Sequence, residues 1–227
     1  ILIKVISPML AKLQNDINSV RKIYYDIIET VAFYNFPIFF LIAIFSYGIL
    51  NFIYGADYTD GRYVLGLLAI YYGYLAAGNP VGSLQTALGR TDTGFYWNIF
   101  RITFCAIAVY IGSQFCLEAV CFCLWGMSLI SSPLSWRITI KPLIGGKFWE
   151  FLFITFKPFV LCLLFTLPFY LIFAGSSNIF VISMVSVLYM LLWFGMICLL
   201  FKESFIVSKA QTCLGSKIFK QILKENN

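Results

Sequence analysis

The 227-residue chain has no histidine, and acidic and basic side chains together make up only 11% of it. Without histidine it lacks the commonest general acid/base and the commonest metal ligand, which counts against hydrolytic or zinc chemistry. A soluble domain would carry about 25% charged residues. With 61% hydrophobic residues and a mean hydropathy of +0.88, this chain is built for lipid. Carboxylates are scarcest, ten against sixteen lysines and arginines. None lies deep in an apolar run, where a simple proton- or sodium-coupled pump or a membrane hydrolase would place one. The sequence opens at Ile1 inside an apolar run and not at a Met with a basic n-region. No signal peptide is therefore expected, and the chain is expected to continue upstream.

What is present is a set of uncharged runs, each to be measured against the roughly 20 residues that cross a bilayer. Thr30–Ala56 and Tyr63–Gly89 hold 27 residues each, and Ala119–Trp136 gives another span. Ile102–Leu117 has only 16, but Arg101 can snorkel and extend that span back towards Phe95. Pro158–Phe201 holds 44, enough for two crossings, with a turn signature at Gly175-Ser176-Ser177-Asn178. Six spans are expected. Of the 16 basic residues only Arg62 falls on an odd-side loop, so the positive-inside bias predicts both ends of the chain in the cytoplasm. The +6 charge then reports topology and anionic headgroups, and nucleic acid is no expected partner.

Leu10, Leu13, Ile17, Val20, Tyr24, Ile27 and Val31 recur at steps of three and four, with Lys12, Asp16, Arg21, Lys22 and Asp26 on other faces. This predicts an amphipathic helix running into the first span. It reads either as a linker lying on the membrane or as a connector between two transporter lobes. The expected organisation is a cytoplasmic amphipathic linker at 1–30 following the end of an earlier span and a four-helix membrane lobe at 31–138. A cytoplasmic loop at 139–151, a two-helix hairpin at 152–201 and a basic amphipathic tail at 202–227 complete it. Seven cysteines lie mostly within spans and read as small hydrophobes; Cys121 and Cys123, two apart on a helix, face different directions and form no metal clip.

The polar residues at membrane depth are few. Gly73, Gly78, Asn79, Pro80, Gly82, Ser83, Gln85 and Thr86 fill the second half of the second span, where Pro80 frees backbone groups and glycine admits a neighbouring helix. A broken helix lining a cavity fits this pattern, since the amides of Asn79 and Gln85 would be unpaired in lipid. Arg101 and Lys157 are expected near the cytoplasmic ends of their spans.

The run Gly78-Asn79-Pro80-Val81-Gly82-Ser83-Leu84-Gln85-Thr86-Ala87-Leu88-Gly89-Arg90-Thr91-Asp92, followed by Gly94-Phe95-Tyr96-Trp97-Asn98, resembles the polysaccharide flippases of the colanic-acid and O-antigen exporter type. Ser7-Pro8-Met9-Leu10-Ala11-Lys12-Leu13-Gln14-Asn15-Asp16, the span bearing Pro37, and Ile53-Tyr54-Gly55-Ala56-Asp57-Tyr58 are similar in the same order and spacing. The likeness covers residues 7–100 well and the remainder only in its pattern of spans.

The resemblance implies a member of the superfamily that includes the multidrug exporters and the peptidoglycan-precursor flippase. Its members have twelve to fourteen helices in two lobes around a central cavity. This all-α polytopic chain would be the second lobe plus a terminal hairpin, in the bacterial inner membrane. The implied activity is translocation of an undecaprenyl-diphosphate-linked oligosaccharide by alternating access, with no cofactor, no metal and no chemistry on the substrate. Arg90 and Arg101 would carry the diphosphate role, and Asn79, Gln85 and Asn98 would face the sugars. Polysaccharide polymerase machinery would be a further partner. The chain departs from the pattern in lacking a deep Arg or Lys. A drug or cation antiporter of the same superfamily would need an acidic residue facing the cavity. A membrane-embedded polymerase would need long external loops, whereas those here are short, and an accessory subunit is the bland alternative.

Overall fold

The computed structural model describes Leu10, Leu13 and residues 16–173, 175, 176 and 178–200, with side chains as far as Ile197. Its helices are α1 (Ile17–Ile44), α2 (Ser46–Tyr54), α3 (Arg62–Ala77), α4 (Pro80–Ala87), α5 (Thr91–Ser113), α6 (Leu117–Ser135), α7 (Lys141–Ile144), α8 (Phe148–Phe173) and α9 (Ile179–Leu200). A 3-10 turn at Ala56–Gly61 precedes α3, and a π-helical turn at Trp136–Ile140 joins α6 to α7. No strand occurs among the described residues. Among the described residues six segments are long and apolar enough to cross a membrane: Ile17–Ile44, Ala56–Ala87, Thr91–Ser113, Leu117–Ile144, Phe148–Phe173 and Ile179–Ile197. The chain is an all-α polytopic membrane protein, as its uncharged runs predict.

The described residues divide into two units, one up to Ile179 and one from Phe180. In the first, α1 starts where Asp16 caps it, accepting from the N–H groups of Asn18 (3.2 Å) and Ser19 (3.3 Å) and from the Ser19 hydroxyl (2.6 Å). The Ser19 hydroxyl, reinforced by the two backbone donors, holds the Asp16 carboxyl below its ordinary pKa. No break separates the amphipathic first turns from the membrane span, because Val20, Tyr24, Ile28, Ala32, Phe36 and Phe40 continue one buried stripe. α1 packs along α3 and α8. Against α3 the approach is close: a Cβ on Gly73 would lie 2.9 Å from that of Phe39. Against α8, Phe159 meets Phe36 and Phe40 edge-on, with centroids 5.4 and 5.6 Å apart.

At the end of this unit that carries most of its charges, Val20, Tyr24 and Ile28 pack with Leu84, Trp136, Ile140 and Ile144. The segment 139–151, expected as a loop from Lys141 and Lys147, is helical through Ile144 and again from Phe148. Ile140 and Ile144 are buried in that cluster, so the charges mark its solvent side and not a chain break. Gly145 (φ 65°) and Gly146 (φ 90°) make the turn, with the Arg21 Nε donating to the Ile144 carbonyl at 2.7 Å. At the opposite end α5 turns into α6, where Cys116 Sγ accepts from the Ala119 N–H at 3.4 Å.

α8 and α9 are separate helices on either side of the predicted turn, and the Ser176 N–H closes the end of α8 by bonding to the Phe173 carbonyl at 3.0 Å. In the second unit α9 carries no charge, and Ile182, Val185, Tyr189 and Trp193 share one face by spacing. Ile1–Ile6 and the expected tail at 202–227 lie outside the described residues.

Candidate functional site

The second span breaks at Gly78–Asn79, between α3 and α4. Pro80 has no N–H to give the Ala76 carbonyl, so the chain tightens: Asn79 N–H bonds Ala76 O at 3.2 Å and Gly78 N–H bonds Leu75 O at 3.0 Å. Val81 and Gly82 then bond back to Gly78 and Asn79, each at 3.2 Å, and Pro80 opens α4 as its first residue. This leaves the Asn79 side chain exposed, and it makes no side-chain hydrogen bond among the described residues.

Gln85 sits six residues further on and is buried. Its Oε1 occupies the place where a Cβ on Gly94 of α5 would stand, so the two residues lock α4 to α5. Its Nε2 has no hydrogen-bond partner among the described residues. The intervening turn uses Gly89 at φ 68° and an Arg90 N–H to Gln85 carbonyl bond of 2.9 Å. The Arg90 guanidinium is exposed and lies 3.4 Å from the Asp92 carboxylate.

Asn98 and Arg101 belong to a different setting. With Gly94, Cys105, Ala108 and Gly112 they recur at steps of three and four, which puts all six on one stripe of α5. Gly94, Ala108 and Gly112 are buried and Cys105 is half-buried against Tyr71, yet Asn98 and Arg101 are exposed. The stripe that packs on the rest of the unit therefore opens at these two residues. Neither makes a side-chain hydrogen bond or ion pair among the described residues. At 1.5 Å per residue Arg101 stands about 15 Å from the start of α5, near its middle. The helix thus extends past Phe95, the point to which the sequence carries this span back from Arg101. A cation there would cost about 2.5–3.5 kcal/mol in hydrocarbon, so it belongs against water or another protein surface.

Of the expected site residues, Gln85 and Arg90 meet through the backbone turn, Asn98 and Arg101 share the open stripe, and no hydrogen bond or ion pair joins Asn79 to the others among the described residues. Sequence reasoning passed over an interhelical ion pair, Glu29 to Lys157 at 3.5 Å. Its signal was there to read: Glu29 and Lys157 are the last charges before the uncharged runs that begin at Thr30 and Pro158, which sets both at the same membrane boundary.

Residues 1–61 match the family described as polysaccharide biosynthesis protein. The chain is 29% identical over 164 residues to the lipopolysaccharide biosynthesis protein WzxC of Escherichia coli (strain K12), covering 72% of this chain and 33% of that protein. It is 25% identical over 163 residues to an uncharacterized membrane protein in the cps region of Klebsiella pneumoniae, covering 70% and 33%. The chain thus spans about a third of the length of the curated relatives it matches. No solved structure matches it. With six candidate spans among its described residues and two polysaccharide-biosynthesis matches, the chain is a multi-pass membrane protein similar to proteins of polysaccharide biosynthesis.

Proposed function

We propose that the chain is part of the second lobe of a transporter that moves an undecaprenyl-diphosphate-linked oligosaccharide across the bacterial inner membrane by alternating access. The observation that carries this reading is the exposed pair Asn98 and Arg101 on the inward stripe of α5 at mid-span. A guanidinium offers fixed donors to a diphosphate and an amide offers both donor and acceptor to sugar hydroxyls. The break at Gly78–Asn79, with Asn79 exposed, supplies a second polar wall and a place for the lobe to bend. Arg90, exposed at the charged end, serves as an outer attraction point, and Gln85 holds the geometry of the turn. Both ends of the chain lie in the cytoplasm in this reading, and the moved unit is handed to a polymerase on the far side.

The test is leaflet exchange of a labelled undecaprenyl-diphosphate oligosaccharide in vesicles holding the full-length protein. Arg101→Ala is expected to slow exchange about tenfold or more, the worth of a lost hydrogen bond to a charged group. Wild-type exchange no faster than in lipid-only vesicles would sink the function, and an unchanged rate in Arg101→Ala would remove the residue's role.

A further inference from the structure

A cavity of about 420 Å³ opens between α1, α3 and α8 at the end of the first unit away from Arg21, Arg90 and Lys147. Its walls are Phe40, Ile44, Leu67, Ile70, Leu163 and Leu167, and Ser46 and Thr166 are its buried polar members. The Thr166 hydroxyl is already bonded to the Cys162 carbonyl at 2.6 Å, and the lining is mostly apolar. Such a space suits a hydrocarbon chain.

One side chain at its rim is of another kind. Arg62 begins α3, lies 4.7 Å over the Tyr63 ring and 5.9 Å over that of Tyr47, and donates to the Tyr63 hydroxyl at 2.9 Å. Asp57 and Asp60 stand in the turn just before it, yet no carboxylate is within ion-pair distance of Arg62 among the described residues. An uncompensated cation, braced by aromatic rings and set at the mouth of an apolar cavity beside a span end, is complementary to one class of molecule. That class joins an anionic head to a long apolar chain.

We infer that this cavity holds the first isoprenoid units of a single-chain lipid phosphate, with the phosphate on Arg62. A volume at the low end of ligand pockets accommodates part of one chain, whereas a diacyl phospholipid brings two to the same head. The choice of an isoprenoid chain rests on the function proposed above. The site is distinct from the open stripe of α5: it lies at the other end of α3 from the break and shares no residue with it. It is where the carrier lipid rests at the Arg62 end of the lobe.

The test uses the full-length protein in phosphatidylcholine nanodiscs and a benzophenone-bearing isoprenyl phosphate as photolabel. Labelled peptides are expected from α3 and α8. Arg62→Gln should reduce labelling about tenfold and Arg62→Lys should retain most of it, as a charge-assisted contact requires. Gly66 lines the cavity, and a Cβ there would meet only ordinary contacts, the nearest the Ala43 carbonyl at 3.6 Å. Gly66→Ala should therefore label as wild type, and Gly66→Leu, which fills the space, should not. Undecaprenyl phosphate should compete, and phosphatidylglycerol and undecaprenol should not. Labelling that persists in both Arg62→Gln and Gly66→Leu, or equal competition by phosphatidylglycerol, overturns the inference. Transport by a wild-type protein whose cavity takes no label would also overturn it while leaving the flippase reading intact. A labelled cavity in a protein that moves nothing would do the reverse.

Discussion

Arg101 shows how much a single position can carry and how it is misjudged. From sequence it stands at the edge of an uncharged run, where snorkelling explains it; in the fold its helix starts ten residues earlier, and the guanidinium lies near mid-helix on a stripe otherwise used for packing. The helix start was not legible because Thr91–Arg101 is only moderately apolar, so the uncharged run marks less of the helix than the fold shows. The stripe itself was legible at three- and four-residue spacing, but only packing tells which of its members are covered. At the same scale, Gly112 meets α6 at backbone distance: a Cβ there would lie 2.5 Å from the Val120 Cα. Backbone cannot step aside as a flexible side chain can, so Gly112→Val should destabilise the protein by about 1–3 kcal/mol, read as a lower thermal midpoint in detergent. Asp16 makes a prediction in pH. Its carboxyl is held low in the folded helix, so the cap is intact above its ordinary pKa and is lost as pH falls through the lower folded value. The protection factor of the Ser19 amide should hold down to about pH 4 and fall below it; a loss beginning above pH 5 would show that the cap does not set this end.

Among the elements, the break between α3 and α4 was readable in advance because proline's missing donor is a local fact. The continuity of the linker region with the first span was readable too, in its three- and four-residue spacing, whereas the helical turns up to Ile144 depended on where the buried Ile140 and Ile144 find partners. If the break is a hinge, Pro80→Ala restores an N–H for the Ala76 carbonyl, raising thermal stability and slowing transport. Transport at the wild-type rate in that variant would leave the break as a packing feature alone. The Glu29–Lys157 pair ties α1 to α8 where the carboxylate is mostly covered and the ammonium about half exposed. Exposure limits its worth to about 1 kcal/mol or less. Glu29→Gln should therefore lower stability only slightly, and the exchanged pair Glu29→Lys with Lys157→Glu should recover most of the loss.

For the whole molecule, the expectation from sequence that fifteen basic residues lie on one side of the membrane and Arg62 on the other makes orientation the first thing to check. Cys116 is exposed at the turn between α5 and α6, on the side where the basic bias predicts the periplasm. In intact cells a membrane-impermeant maleimide should label it in a variant lacking the other cysteines. Labelling only after the cells are opened would invert the topology and with it the direction assigned to both lipid-facing sites. Most of α5 is uncovered in the first unit, with 11% of its span buried. The two polar residues on it thus acquire meaning from whatever stands opposite, which no reading of this chain's own spacing supplies.

The Gln85 amide in the notch left by Gly94 has a historical consequence. Neither position is free to change by itself: a methyl at 94 collides with the amide, and a smaller residue at 85 opens a void against bare backbone. As sequences of this kind diverge, bulk should pass back and forth between the two, so that large-with-glycine and small-with-alanine pairs both occur while the mixed large pair is missing. A collection of divergent relatives in which the two positions vary independently would show that the lock between α4 and α5 is peculiar to this chain.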